Sequence, residues 1–81
     1  MTYRLVFETA AINSAARLLA DDPAGLGEAL SAIDMLAEDP RPLGSTPFGS
    51  SDVRRLRAGR YRVLYQIGDG EISVIHIGRA N

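Results

Sequence analysis

Residues 52–67 read DVRRLRAGRYRVLYQI, and this stretch decides the expected fold. Valine, leucine, tyrosine and isoleucine alternate with charged residues on both sides of the pair Ala58-Gly59. Such alternation is typical of β-strands, and a glycine between two strand patterns is typical of a tight turn. The sequence therefore predicts two antiparallel strands joined near Gly59.

The same alternation predicts which side chains share a face. Four residues fall on one face, which we assign to the core: Tyr61, Val63, Tyr65 and Ile67. Arg62 then lies on the open face, and Arg55 and Arg57 join it from the neighbouring strand. Arg54 falls on the opposite face with Leu56, or at its rim, which favours a structural or a partner-facing role. Because residues 54–62 hold five arginines and no acid, we expect a concentrated cationic surface.

The rest of the chain predicts an α+β fold around this hairpin. Residues 2–8 alternate as a strand, and Thr9 is a candidate N-cap for an alanine-rich helix over 10–20. Its predicted apolar stripe is Ile12, Ala15, Ala16 and Leu19. Asp22 is a candidate cap and Pro23 a first residue for a second helix over 24–38. The stripe of that helix is Leu26, Leu30, Ile33 and Leu36, with Ala29 and Ala37.

Prolines end the second helix and open a predicted loop over 40–51, which Leu43 and Phe48 are expected to pin to the body. Gly68-Asp69-Gly70 predicts a turn, and residues 71–77 predict a last strand that is apolar on both faces and so central or well covered. The expected order is β-α-α-β-β-β. A helical hairpin should pack on a four-stranded, mainly antiparallel sheet, in a single domain over 1–81.

Composition excludes several kinds of site. The chain has no cysteine and one histidine, so we expect no disulfide, no metal centre and no cofactor. No apolar run approaches the roughly 20 residues of a membrane span, and no signal peptide opens the chain. We therefore expect a cytoplasmic protein without a membrane partner. The net charge of −1 excludes a protein that binds polyelectrolytes through its overall charge. Any anion would bind to a local cationic patch instead.

The stretch VRRLRAGRYRVLYQIGDGEISVIHIGR at residues 53–79, with EDPRPLGS after the second helix, resembles the RelE/ParE toxin superfamily of bacterial type II toxin–antitoxin systems. YRVLYQI and HIGR are more similar to the RelE branch. The resemblance implies a RelE-like fold and a ribosome-dependent mRNA endonuclease, in which a ribose 2′-OH attacks the adjacent phosphate. It also implies a cognate antitoxin that neutralises the toxin and can form a hetero-oligomer with it.

The resemblance also implies site residues. Arg62 matches the family arginine that follows the turn tyrosine, Arg55 matches a basic position on the preceding strand, and Arg79 matches a basic position after the last strand. Arg55, Arg57, Arg60 and Arg62 are then the predicted RNA-binding residues.

His76 is a fourth catalytic candidate, because imidazole can accept and donate a proton near neutral pH. Strict alternation places it with Ile72 and Val74, opposite Ile75 and Ile77. If Ile75 and Ile77 face the helices, His76 lies on the face of Arg62. The alternative is a histidine at a sheet edge whose hydrogen bonds are satisfied.

Three departures from the family pattern favour other functions. Val53 stands where many RelE toxins have a second basic residue, and the chain stops at Asn81, before the segment that often brings a catalytic Tyr or His. The net charge is slightly acidic, whereas these toxins are usually basic. The alternative functions are a non-enzymatic, ParE-like inhibitor of gyrase and a degenerate toxin that only binds its antitoxin.

Arg55 and Arg57 also have a structural alternative, because an arginine-rich strand edge prevents aggregation between sheets.

Overall fold

A computed structural model describes residues 2–80. Over this range the chain forms five strands and two helices in the order β1 (Arg4–Phe7), α1 (Thr9–Asp21), α2 (Pro23–Leu36), β2 (Ser45–Phe48), β3 (Ser50–Ala58), β4 (Tyr61–Ile67) and β5 (Glu71–Arg79). The strands lie side by side in the order β1-β5-β4-β3-β2. β1 runs parallel to β5, and the other neighbouring pairs are antiparallel. The predicted α+β fold, with two helices on a mainly antiparallel sheet, is confirmed.

The sheet has one strand more than predicted. Residues 45–48 were expected to lie in a loop, but they pair with β3 and form the outer strand β2. Pro47 has no N–H group to donate. An outer strand tolerates this because one of its two edges forms no hydrogen bonds with a neighbouring strand. Leu43 is fully exposed, at 105% of its reference area, and Phe48 is 47% exposed. The prediction that these two side chains pin the segment to the body is therefore wrong.

The β3–β4 hairpin has the predicted form. The two strands are separated by Gly59 and Arg60, and Gly59 adopts a φ of +60°, which glycine reaches without steric cost. Buried and exposed residues alternate along β4, and both of its tyrosines are fully buried. The Tyr61 hydroxyl donates to Asp22 Oδ2 at 2.6 Å. The Tyr65 hydroxyl donates to the Pro40 carbonyl at 2.7 Å. Tyr61 and Tyr65 are therefore core residues whose polar ends are satisfied.

Helix α2 also has the predicted cap and core face. Asp22 accepts a hydrogen bond from the Gly25 N–H at 3.1 Å, and Pro23 is the first helical residue. The residues that α2 buries are Leu26, Ala29, Ile33 and Leu36. Leu30 is only partly buried, at the border of this stripe.

Helix α1 turns to the sheet a face that matches the predicted stripe only at Ala15, which packs against the core. It buries Ala11 and Ser14, while Ile12 is 54% exposed and Leu19 is 63% exposed. α1 packs on β5, and small residues at the contact let the helix backbone lie close to the sheet. The Ser14 hydroxyl donates to the Ala10 carbonyl at 2.9 Å, so its burial leaves no unpaired donor. The predicted N-cap is also wrong, because Glu8 holds the cap position and Thr9 lies inside the helix.

Strand β5 lies inside the sheet, between β1 and β4, which agrees with the central or well-covered position predicted for it, but it contains a β-bulge. Leu64 of β4 pairs with His76, whereas the next residue, Tyr65, pairs with Val74. Ile75 is thus an extra residue in the ladder, and it shifts the alternation of faces. Ile72 and Val74 are fully buried, so their predicted place on the face of His76 is wrong. Between residues 2 and 80, neither helix is both long and apolar enough to cross a bilayer.

Candidate functional site

The open face of the sheet, opposite the helices, carries a shallow groove of about 220 Å³. Seven residues line this open-face groove: Phe48, Arg55, Arg62, Leu64, His76, Gly78 and Arg79. The four predicted catalytic residues, Arg55, Arg62, His76 and Arg79, are all among them. Residues from β2, β3, β4 and β5 therefore meet at one place on a rigid sheet.

Strand register explains this meeting. Arg55 pairs with Leu64, and Leu64 pairs with His76, so these three lie in one row across the sheet. Arg62 lies in the next row, between Arg57 and Gly78. Directly opposed side chains have Cβ atoms about 4.5–5.5 Å apart, and diagonal neighbours about 7–8 Å apart. The predicted common face of Arg55, Arg57 and Arg62 is confirmed, and exposed His76 lies on it as predicted.

Gly78 provides the space that the His76 ring occupies. A Cβ atom at this position would lie 2.9 Å from Nε2 and 3.3 Å from Cδ2 of His76. The imidazole therefore lies against the backbone of Gly78, in the row of Arg62. The sequence shows a glycine two residues after the histidine, but only the ring position reveals why the glycine matters.

Phe48 is the second residue that sequence reasoning missed. The Cζ atom of Arg55 lies 4.7 Å from the centroid of the Phe48 ring, a cation–π contact. This contact holds the guanidinium without cancelling its charge. Phe48 stands in a segment rich in proline, glycine and serine. This composition predicted a loop, whereas the segment forms strand β2 and brings the ring to the groove.

The groove remains cationic. Within residues 2–80, the ion pairs are Arg4–Glu71 at 2.6 Å, Arg41–Asp52 at 3.3 Å and Arg60–Asp22 at 4.0 Å. None of these includes an arginine of the open-face groove. The same range holds no cluster of three or more His, Asp or Glu side chains able to bind a metal ion. The groove offers guanidinium groups and an imidazole, which suit an anionic ligand such as a phosphodiester.

The other predicted arginines lie outside the groove. Arg57 shares the open face but donates from Nε to the Gly59 carbonyl at 2.8 Å. Arg60 lines a separate pocket beside the start of α2, together with Asp22, so any contact of Arg60 with RNA would lie away from the groove. Arg54 faces the core side and hydrogen-bonds the hydroxyl and carbonyl of Ser45, which agrees with the structural role expected for it.

Arg79 connects the groove to the helix side of the sheet. It borders the groove, yet its Cζ atom lies 6.0 Å from the centroid of the Tyr61 ring. The Tyr61 hydroxyl and then the Gly25 N–H lower the pKa of Asp22 by donating to its carboxylate, with smaller contributions from Arg60 and Arg79. The bond to Asp22 in turn raises the pKa of Tyr61. Arg79 thus stabilises the negative charge of Asp22 while it lines the open face.

The comparisons with known proteins agree with this fold. Residues 6–81 match the family model described as the ParE toxin of the type II toxin–antitoxin system parDE. An arginine-to-alanine double mutant of the E. coli toxin RelE in the free state is 26% identical, with a TM-score of 0.81 over 100% of this chain and 86% of that one. No curated protein is a significant match.

Two solved complexes contain chains of the same fold. One belongs to the archaeal RelE–RelB complex from Pyrococcus horikoshii OT3, at 24% identity and a TM-score of 0.79, and covers 100% of this chain and 98% of that one. The other belongs to the chromosomal ParDE system of P. aeruginosa. It is 12% identical with a TM-score of 0.78, and the match covers 99% of this chain and 98% of that one. The fold is therefore shared by RelE and ParE proteins.

Proposed function

This chain belongs to the ParE toxin family of type II toxin–antitoxin systems, and from the residues of its open-face groove we propose that it is a ribosome-dependent mRNA endonuclease. The observation that carries this proposal is the meeting of Arg55, Arg62 and His76 in one groove. Cutting RNA requires cations beside the phosphate and a group that moves a proton, and these three side chains supply both.

In the proposed reaction a ribose 2′-oxygen attacks the adjacent phosphorus. The neutral imidazole of His76 accepts the 2′-OH proton as the new P–O bond forms. The P–O5′ bond then breaks, and the leaving 5′-oxygen takes a proton from the imidazolium or from water. The products are a 2′,3′-cyclic phosphate and a 5′-hydroxyl end.

Arg62 has the central role in this mechanism. The phosphorane carries one more negative charge than the ground-state diester, so a guanidinium beside the phosphate binds the transition state more strongly than the substrate. Arg55 adds a second cation whose position the Phe48 ring maintains. Arg79 completes the cationic border of the groove.

The proposed protein partner is a cognate antitoxin. The structural neighbours include a RelE–RelB complex and a ParDE system, which supports a toxin–antitoxin hetero-oligomer for this chain. An antitoxin segment that folds on binding would neutralise the toxin by covering the groove or its surroundings.

A non-enzymatic action on DNA gyrase is the second candidate. The family model carries the ParE description, and the net charge of −1 provides no overall attraction to the ribosome. The two functions differ in their cellular effects. An endonuclease arrests translation and produces new mRNA 5′ ends, whereas a gyrase inhibitor causes filamentation with DNA damage.

Induced expression of the chain without antitoxin tests the proposal, with mapping of mRNA 5′ ends and parallel expression of Arg62→Ala. Loss of one transition-state donor typically lowers the rate by about 100- to 1,000-fold. Loss of an exposed strand arginine changes stability by less than about 0.5 kcal/mol. We expect Arg62→Ala to abolish mRNA cleavage and growth arrest while the melting temperature stays near that of the wild type.

The matched control is Arg17→Ala, which removes an exposed arginine of α1, a helix on the sheet face opposite the groove, and should keep full activity. Filamentation without new mRNA ends would favour the gyrase reading. Full toxicity of a folded Arg62→Ala variant would contradict the role given to Arg62.

A further inference from the structure

Phe48 is an exposed aromatic side chain that contributes nothing to the core. The described core cluster does not include it, and 47% of its surface faces solvent. The ring lies at the wall of the open-face groove, next to the Arg55 guanidinium. An apolar ring left in water beside a cationic site favours a ligand with a planar, stackable part and a negative charge.

We propose that Phe48 and Arg55 form a base-binding platform, on which an unpaired nucleobase of single-stranded RNA stacks while its phosphodiester lies at Arg62. This inference rests on the proposed function and extends it to the recognition of the substrate.

Both members of the platform offer the surfaces that such stacking needs. Unpaired bases stack on aromatic rings and on the planes of arginine guanidinium groups. In the free protein these two surfaces already contact each other at 4.7 Å, so the platform is formed before RNA arrives. Ordering costs at binding are correspondingly small.

Arg55 makes the platform continuous with the catalytic row. Its backbone lies opposite Leu64, which lies opposite His76, while its guanidinium reaches across to Phe48 on β2. Leu64 is partly buried and provides an apolar surface between the two ends. A base at Phe48 therefore leaves its own backbone near the arginines and the imidazole.

The platform selects single strands. In a duplex the faces of each base are covered by neighbouring bases, so a protein ring reaches them only when the base is unpaired. Every base has such a face, and stacking therefore gives affinity with little sequence preference.

The test is a titration of short, labelled, single-stranded RNA that carries 2′-O-methyl riboses, followed by fluorescence anisotropy at one low salt concentration. Without a free 2′-OH the RNA cannot be cleaved. Stacking of one base is worth about 1–3 kcal/mol, which corresponds to roughly 5- to 150-fold in the dissociation constant. We expect Phe48→Leu to weaken binding by this factor and Phe48→Tyr to retain it.

Two controls separate stacking from other effects. Leu43→Ala removes an apolar side chain that is fully exposed and should leave the affinity unchanged. The second control is an RNA with one abasic site at the stacking position. The wild type should bind this RNA as weakly as Phe48→Leu binds the intact RNA. Phe48→Leu should bind the abasic RNA no more weakly than the wild type does. Thermal melts verify that each variant is folded.

Equal affinity of the wild type and folded Phe48→Leu for intact RNA would overturn the inference, and so would a wild type that binds no RNA. Cleavage of mRNA on programmed ribosomes, measured with the same variants, distinguishes this failure from failure of the proposed function. Binding that depends on Phe48 without any cleavage supports the platform and contradicts the endonuclease. Cleavage by a protein whose RNA affinity does not depend on Phe48 contradicts the platform and leaves the endonuclease proposal intact.

Discussion

Replacement of Gly78 by alanine would push on the imidazole of His76 without removing any functional group. The added methyl carbon would lie 2.9 Å from Nε2, whereas unstrained contacts of this kind are about 3.5 Å or longer. The ring must therefore move by at least about 0.5 Å, which is the tolerance within which a catalytic group must be held. Because a misplacement of about 1 Å can cost 100-fold in rate, we expect mRNA cleavage to fall by roughly 10- to 100-fold.

The stability of Gly78→Ala should rise although its cleavage rate falls. The φ of Gly78 is not positive, so alanine can adopt its backbone conformation. Glycine inside a strand destabilises by about 0.5–1 kcal/mol relative to alanine, because its unfolded chain has more freedom to lose. The variant should therefore melt at or above the wild-type temperature while it cleaves more slowly, a result that partial unfolding cannot produce.

Single-turnover cleavage of mRNA on ribosomes, together with thermal melts, measures both effects. Gly27→Ala is the matched control, because a Cβ at Gly27 meets nothing within 4 Å. It should raise stability by up to about 1 kcal/mol and keep full activity. A double-mutant cycle with His76→Gln then tests whether the methyl acts through the imidazole.

In that cycle Gly78→Ala should add little to the loss caused by His76→Gln, since the displaced group is already gone. A wild-type cleavage rate in Gly78→Ala, with an NMR signal showing that the ring has moved, would remove His76 from the mechanism. A further loss in the His76→Gln background would mean that the methyl acts on the neighbouring Arg62 instead.

Two further predictions concern stability. The pKa of Asp22 is held below its ordinary value of 3.8 by bonds from Tyr61 and Gly25. That stabilisation is complete above the ordinary pKa and is lost as the pH falls through the lower pKa of the folded state. The stability difference between wild type and Asp22→Asn, from urea unfolding, should therefore shrink below about pH 4; a constant difference would contradict the assignment. Tyr65→Phe removes the buried hydroxyl that bonds the Pro40 carbonyl. It should cost about 1–3 kcal/mol in the same assay, and a neutral effect would show that water replaces the bond.

Most of the fold was predictable because local pattern and tertiary packing agree. Alternation over residues 52–67 predicted the hairpin and its two faces, since one face of the sheet is covered by helices and the other is open. The cap at Asp22 was predictable because proline follows it. These features depend on neighbours in sequence, which a single chain displays directly.

Features that depend on distant neighbours were not predictable. The face of α1 was misassigned because large apolar residues such as Ile12 and Leu19 were taken as its core side. The contact with β5 instead selects small residues, and nothing near Ala11 or Ser14 in the sequence shows that the sheet lies close to them. β2 was missed because Pro47 is unfavourable in a strand unless that strand is outermost, a position that only the complete sheet defines.

The candidate site was found for a reason that was partly wrong, and the bulge in β5 explains how. His76 was placed on the open face by alternation from Gly78, which is valid as far as Ile77. Continued further, the same alternation would expose Ile72 and Val74, yet both are fully buried together with Ile77 at 2% exposure. Val74 and Ile77 are three positions apart, an odd number, so a regular strand cannot bury both on one face. The extra residue at Ile75 lets the strand keep its apolar contacts with the helices and still direct one imidazole to the opposite face, next to Arg62.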